Sequence, residues 1–174
     1  MQFQYSLVKM QLTLVKCGEG EMKPKFIKLY NDIAHLVANM SHARRLKVGA
    51  IVVKDDRVIS MGYNGMPSGW DNNCEYEEID FQSEYGVGTI LVNTGNLKTR
   101  PEVLHAESNA LMKLAKSHES GDGASLFITH APCMECSKLI LQSGINSVYY
   151  RAEYRDDAGV KFLKQSGIEV TKYE

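Results

Sequence analysis

Two short stretches of this sequence hold side chains that could do chemistry together. "LHAESNALMKLAK" carries His105 and, two residues on, Glu107. "APCMEC" carries Pro132, Cys133 and Cys136. Each alone is ordinary. A carboxylate is favoured in the first turn of any helix, and a lone His-x-Glu occurs by chance. A C-x-x-C reads as a redox pair or a metal site in a reducing compartment. Taken together they are more pointed. Proline is tolerated at a helix start, and positions three apart share a helix face. Cys133 and Cys136 can therefore address one ion from a helix N-terminus, where the dipole favours thiolate. One histidine and two cysteines suit Zn²⁺ and leave a fourth position for water. A structural zinc would more often be closed by a fourth cysteine or histidine. Glu107 is then the acid–base group at hand.

Elements must exist to bring these residues together. Ala106, Leu111, Met112, Leu114 and Ala115 are the apolar side of a short helix over 104–116. "ASLFITH" (124–130) reads as a buried strand, and "CMECSKLILQSG" as a helix ended by Gly144. A single strand between two helices lets both return to one face of a sheet, with their N-termini at the same edge. Upstream, Phe26, Ile27, Tyr30, Ile33, Ala34, Val37 and Met40 step by three and four, which predicts a helix from Pro24 to about Met40. "KVGAIVVKDDRVISMGYN" predicts a β-hairpin turning at Asp-Asp-Arg. Downstream come the strand "NSVYY", the helix "DAGVKFLKQSG" ended by Gly167, and the strand "IEVTKY". This alternation predicts a three-layer α/β/α sandwich around a mixed sheet of about five strands.

Two segments stand apart. Residues 1–22 alternate loosely between apolar and polar and read as a strand or an N-terminal arm ahead of a single domain over 23–174. Residues 66–99 are rich in turn formers without a clear period, and read as a long inserted loop, functional or mobile. Trp70, Tyr76, Phe81 and Tyr85 in that loop, with Tyr154, could stack on a base, although packing within the protein is the expectation for most of them.

The 174 residues suit one domain with a sizeable core. A formal net charge of -1 excludes a general attraction to nucleic acid or anionic lipid, although "ARRLK" at 43–47 is locally basic. No apolar run approaches the ~20 residues of a membrane span. The N-terminus lacks the pattern of a signal peptide, which sets a cytoplasmic expectation. Cys17 and Cys74 are scattered, and with His35, His42, His118 and His130 show no ligand spacing, so a second, structural zinc is not expected.

His105-Ala106-Glu107 followed by Pro132-Cys133-Met134-Glu135-Cys136 resembles the zinc-dependent cytidine deaminase superfamily, whose signature this is. The closer resemblance is to the deoxycytidylate (dCMP) deaminase family. It rests on "VGAIVVKDDRVISMGYNGMPSG", "HAESNAL", "APCMECSKLILQSGI" and "YRAEYRDDAG", and covers most of residues 24–173. It implies a catalytic zinc on His105, Cys133 and Cys136, with Glu107 shuttling protons while water replaces the amino group at C4 of cytosine, giving dUMP for thymidylate synthesis.

The same resemblance implies nucleotide contacts. Asn64 in "GYNG" would hydrogen-bond the sugar, and Ala106 would be a further substrate contact. Ser41, Arg45, Tyr154 and Arg155 would hold the 5′-phosphate, a group that suits charge-assisted arginine contacts. It further implies a homohexamer activated by dCTP with Mg²⁺ and inhibited by dTTP, the regulatory nucleotide lying near Gly62, Asn64, Gly65 and Gly69. The rival readings are a tRNA adenosine deaminase or another zinc nucleobase deaminase, and a non-catalytic zinc-binding module. The first lacks support from a basic face, and the last would not need Glu107.

Overall fold

The computed structural model describes residues 22–83 and 89–173, with the backbone alone described from 80 to 83 and from 89 to 94. Eleven elements follow in order: α1 (Pro24–Ala38), β1 (Gly49–Lys54), β2 (Arg57–Tyr63), β3 (Glu75–Ser83), β4 (Thr89–Thr99), α2 (Ala106–Ala115), β5 (Ser125–His130), α3 (Met134–Gln142), β6 (Ser147–Ala152), α4 (Ala158–Gln165) and β7 (Glu169–Lys172). Five strands form one sheet in the order β2-β1-β5-β6-β7. β1 is antiparallel to β2 and β5, whereas β5, β6 and β7 are parallel, so the sheet is mixed as expected.

Period-two alternation sorts the strand residues into two cores. Ala50, Val52, Leu126, Ile128, Val148 and Tyr150 face α2, α3 and α4. Their neighbours Ile51, Val53, Phe127 and Tyr149 face α1 through Tyr30, Ala34 and Val37. Phe127 stacks on Tyr149 at 4.7 Å between centroids. Because all three central strands are covered on both sides, their sequences read as unbroken apolar runs. The β1–β2 turn is Asp55-Asp56, both at positive φ, as a two-residue type I′ hairpin requires. Gly144 and Gly167 follow the ends of α3 and α4 at positive φ, where helix-ending glycines were expected.

Three expectations change. Residues 66–99 are not a loop throughout: β3 and β4 pair as an antiparallel hairpin, a two-stranded sheet separate from the central one. A register shift between Glu77 and Ile79 breaks its alternation, which is why no period of two shows in the sequence. The predicted α1 residue Met40 lies beyond the helix and is exposed. Trp70 and Tyr76 are exposed rather than packed. The readings of 1–22 and of Tyr85 fall outside the described residues, apart from Met22, which packs under α1. Among the described residues no helix is long and apolar enough to cross a membrane.

Two close backbone approaches fix the helices that matter for the site. A Cβ at Gly62 would lie 2.3 Å from the Ala106 carbonyl oxygen, so β2 and the first turn of α2 meet backbone to backbone. A Cβ at Gly159 would lie 2.2 Å from the Pro132 carbonyl oxygen and 2.6 Å from Ser137 Oγ, which seats α4 against the start of α3. Gly62→Val is expected to cost at least ~1–3 kcal/mol, the usual penalty of overpacking. Denaturant titration should show the loss, and zinc content should fall with it as α2 is displaced.

Candidate active site

The site is built at the carboxyl ends of β5 and β6, where ligands bind in open α/β sheets. His105 is the N-cap residue of α2 and Cys133 that of α3, both with extended backbone. The loop from β5 into α3 is short: Ala131 and Pro132, both buried, then Cys133. His105 Nδ1 is 3.3 Å from Cys136 Sγ and 3.6 Å from Cys133 Sγ. The three donor atoms lie within 4.8 Å of one another, the spacing of ligands around one ion. The imidazole nitrogen turned to the sulfurs is therefore Nδ1. Among the described residues this is the one such group of His, Cys, Asp and Glu.

The charges suit a dication. Hydrogen bonds from Cys136 and His105 hold the Cys133 thiol well below its ordinary range, which favours the thiolate there. Cys136, as the donor to Cys133 and itself buried, is pushed up. The hydrogen bond to Cys133 raises His105 against the opposing effect of its burial. This proton-sharing cluster is what a Zn²⁺ would discharge, since the metal takes thiolates and a neutral imidazole. The donors thus fit zinc in type, spacing and charge.

Glu107 sits in the first turn of α2 and is buried. Loss of solvent pushes its carboxyl above the ordinary range. Its own backbone amide, the charge of His105 and a hydrogen bond from Cys136 work the other way.

A cavity of about 520 Å³ opens over these groups. Ala106, Glu107, Cys133 and His105 line it together with Asn64, Arg45, Tyr154 and Arg155. Six of the sequence-derived contact and acid–base residues, from four separate segments, are thus brought to one hollow.

Asn64 is already engaged on its far side: its Nδ2 donates to the Leu46 carbonyl at 2.8 Å and its Oδ1 accepts from the Val48 amide at 2.8 Å. Ser41 is buried and does not line the cavity. Its hydroxyl donates to the Asn64 carbonyl at 2.7 Å and accepts from the Ala43 amide. Gly62 faces α2 rather than an open surface, and Gly69 sits at positive φ in an exposed turn. Gly65 exchanges two backbone hydrogen bonds with Leu104, the residue before His105. The turn after β2 therefore braces the metal-facing histidine as well as the cavity wall.

Sequence reasoning missed Glu75, Thr99, His130 and Glu153, which also line the cavity. Glu75 and Thr99 lie in the stretch read as a loop. A buried acid leaves no mark in sequence when its partners are backbone amides thirty residues away.

A mixed sheet that presents a His–Cys–Cys cluster and a buried carboxylate from two helix starts is the architecture of a zinc hydrolase. Comparison with known proteins identifies which kind. Residues 24–152 match the family described as the cytidine and deoxycytidylate deaminase zinc-binding region. The dCMP deaminase of cyanophage S-TIM5, solved in complex with dCMP and dUMP, is 45% identical, with a TM-score of 0.75 over 88% of this chain and 100% of that one. The deoxycytidylate deaminase of Mycobacterium phage D29 is 38% identical over 136 residues, 75% of this chain and 98% of that protein. That of Enterobacteria phage T4 is 32% identical over 164 residues, 80% of this chain and 85% of that protein. The chain belongs to the cytidine and deoxycytidylate deaminase family, and is a zinc-binding hydrolytic deaminase of the cytosine ring.

Metal analysis of the purified protein should give one zinc per chain. Cys136→Ala should remove it, since two remaining donors hold zinc weakly. Two zinc per chain would show a second site that the described residues do not contain.

Proposed function

We propose that this enzyme converts dCMP and water to dUMP and ammonia. The observation that carries the reading is the buried Glu107 carboxyl beside the His105–Cys133–Cys136 cluster, at the bottom of a cavity whose mouth carries two arginines. The named activity of the relatives supports the same substrate.

His105, Cys133 and Cys136 would hold the zinc, which supplies Lewis acidity and an acidified water. Glu107 takes a proton from that water and delivers it to N3 of the cytosine ring. The water oxygen bonds to C4, and Glu107 then moves the remaining proton of that oxygen to the C4 amino nitrogen, so that C4 becomes a carbonyl as the C–N bond breaks and ammonia leaves. Burial serves both steps: a carboxyl raised above its ordinary range accepts a proton readily and returns it within the same turnover. Ala106 is buried and gives the base a flat wall. Asn64, fixed from behind by Leu46 and Val48, offers its remaining hydrogen-bonding capacity to the sugar. Arg45 and Arg155 meet the 5′-phosphate, with Tyr154 held under Arg155 at 5.6 Å. Ser41 acts through Asn64, by tying down its backbone.

Regulation belongs to the same reading. dCTP with Mg²⁺ activates and dTTP inhibits through the Gly65–Gly69 turn, and the dUMP made feeds thymidylate synthesis. The turn follows Asn64 of the cavity wall, and its Met66 packs with Cys74, the residue before β3, which supports a path from one to the other. The chains assemble as a homohexamer. Leu29, Leu36 and Met40, exposed along and just beyond α1, supply apolar surface for such contacts.

Glu107→Gln should keep its zinc and lose turnover on dCMP by at least ~10²-fold, the usual worth of a positioned acid–base group. Near-normal turnover, followed by ultraviolet absorbance, would exclude the role. Regulation predicts sigmoidal dCMP kinetics that become hyperbolic with dCTP. Rates indifferent to dCTP and dTTP would remove it.

A further inference from the structure

The β3–β4 hairpin lies outside the central sheet, yet its base reaches the cavity. Glu75 opens β3, Thr99 closes β4, and the two are cross-strand partners. Both grip the same short segment. The Glu75 side chain is 2% exposed, and a carboxylate so buried needs its oxygens met by donors. The Arg44 amide donates to Oε1 at 3.1 Å and to Oε2 at 3.2 Å, and the Arg45 amide donates to Oε1 at 3.2 Å. Arg44 Nε lies 3.8 Å from Oε2. Across the ladder, Thr99 Oγ1 accepts from Arg45 Nη1 at 2.9 Å. One end of the hairpin thus fixes the backbone of residues 44–45 and the guanidinium of Arg45 together.

The grip matters because the segment from 41 to 48 has no helix or strand of its own. Asn64 holds Leu46 and Val48, and Ser41 holds Asn64. Glu75 holds the middle. Arg45 is an exposed, long side chain that would otherwise sample many rotamers, at an entropic cost on every binding event. Charge points the same way. A free carboxylate on this wall would repel a phosphate. Here the Glu75 oxygens are turned to two backbone amides and Arg44, leaving the Arg45 guanidinium to set the local field.

We propose that Glu75 and Thr99 are positioning residues for phosphate recognition, holding Arg45 at the cavity mouth so that the hairpin sets the preference for a nucleotide over a nucleoside. The proposal rests on the reading of Arg45 as a phosphate contact in a dCMP site. Arg45 is the group that touches substrate, and Glu75 and Thr99 act through it.

The test compares dCMP with deoxycytidine on the zinc-loaded enzyme for the wild type, Arg45→Ala, Thr99→Val, Thr99→Ser and Glu75→Gln. Thr99→Val and Glu75→Gln are each expected to raise KM for dCMP about tenfold, the scale of one hydrogen bond to a charged group. kcat on dCMP should stay within about twofold, as for a lost binding interaction, and kcat/KM on deoxycytidine should hold. Thr99→Ser, which keeps the hydroxyl, should restore KM. A purely structural prop would instead depress both substrates together and lower the melting temperature. If Arg45→Ala leaves the dCMP-to-deoxycytidine ratio unchanged, the phosphate reading of Arg45 fails. If Arg45→Ala lowers that ratio but Thr99→Val does not, Arg45 stands and the positioning role is overturned. Thr99 is exposed, so its variants decide the matter even if Glu75→Gln does not fold.

Discussion

The structure depends on two helix N-termini being forced against each other at the end of one strand. His105 and Cys133 are both N-cap residues, and neither helix spends a side chain on capping its own amides. Their first-turn N–H groups and positive dipole ends concentrate a field at the spot where two sulfurs and an imidazole meet. That field favours thiolate, and thiolate favours zinc. The rest of the fold serves to hold this convergence. Gly62 lets β2 press on α2, Gly159 lets α4 press on α3, and Gly65 ties the next turn to Leu104.

Burial does the remaining chemistry. Glu107 belongs to the same first turn as His105 but is buried, and desolvation raises its proton affinity. Two titratable groups two residues apart therefore have different surroundings. One faces the two sulfurs, and the other is buried with its proton affinity raised. A C-x-x-C without this neighbour would remain a redox or structural pair, which is why the histidine and the glutamate decide the reading.

The cavity wall is assembled from segments with little in common. Asn64 comes from the end of a hairpin, Arg45 from an irregular stretch, and Tyr154 and Arg155 from the exit of β6. Each is held by something behind it: the Leu46 and Val48 backbone for Asn64, the β3–β4 base for Arg45, and the Tyr154 ring for Arg155. Ser41, which the family resemblance placed at the phosphate, belongs to this outer layer. Its hydroxyl is consumed by the Asn64 carbonyl and the Ala43 amide.

By itself the sequence determined the elements of the central sheet, their helices and the metal donors. Their signals are local: apolar steps of two or three and four, helix-ending glycines, and a histidine and cysteines at helix starts. The paired hairpin at 75–99 escaped because its bulge destroys the period on which such reading relies. Only the tertiary structure decided that Glu75 and Thr99 stand at the cavity and that Gly62 is a packing contact. It also revealed that Ser41 braces Asn64 instead of lining the hollow. Those facts rest on contacts between residues tens of positions apart, and a hydrogen bond to a distant backbone amide selects no particular residue type at the other end.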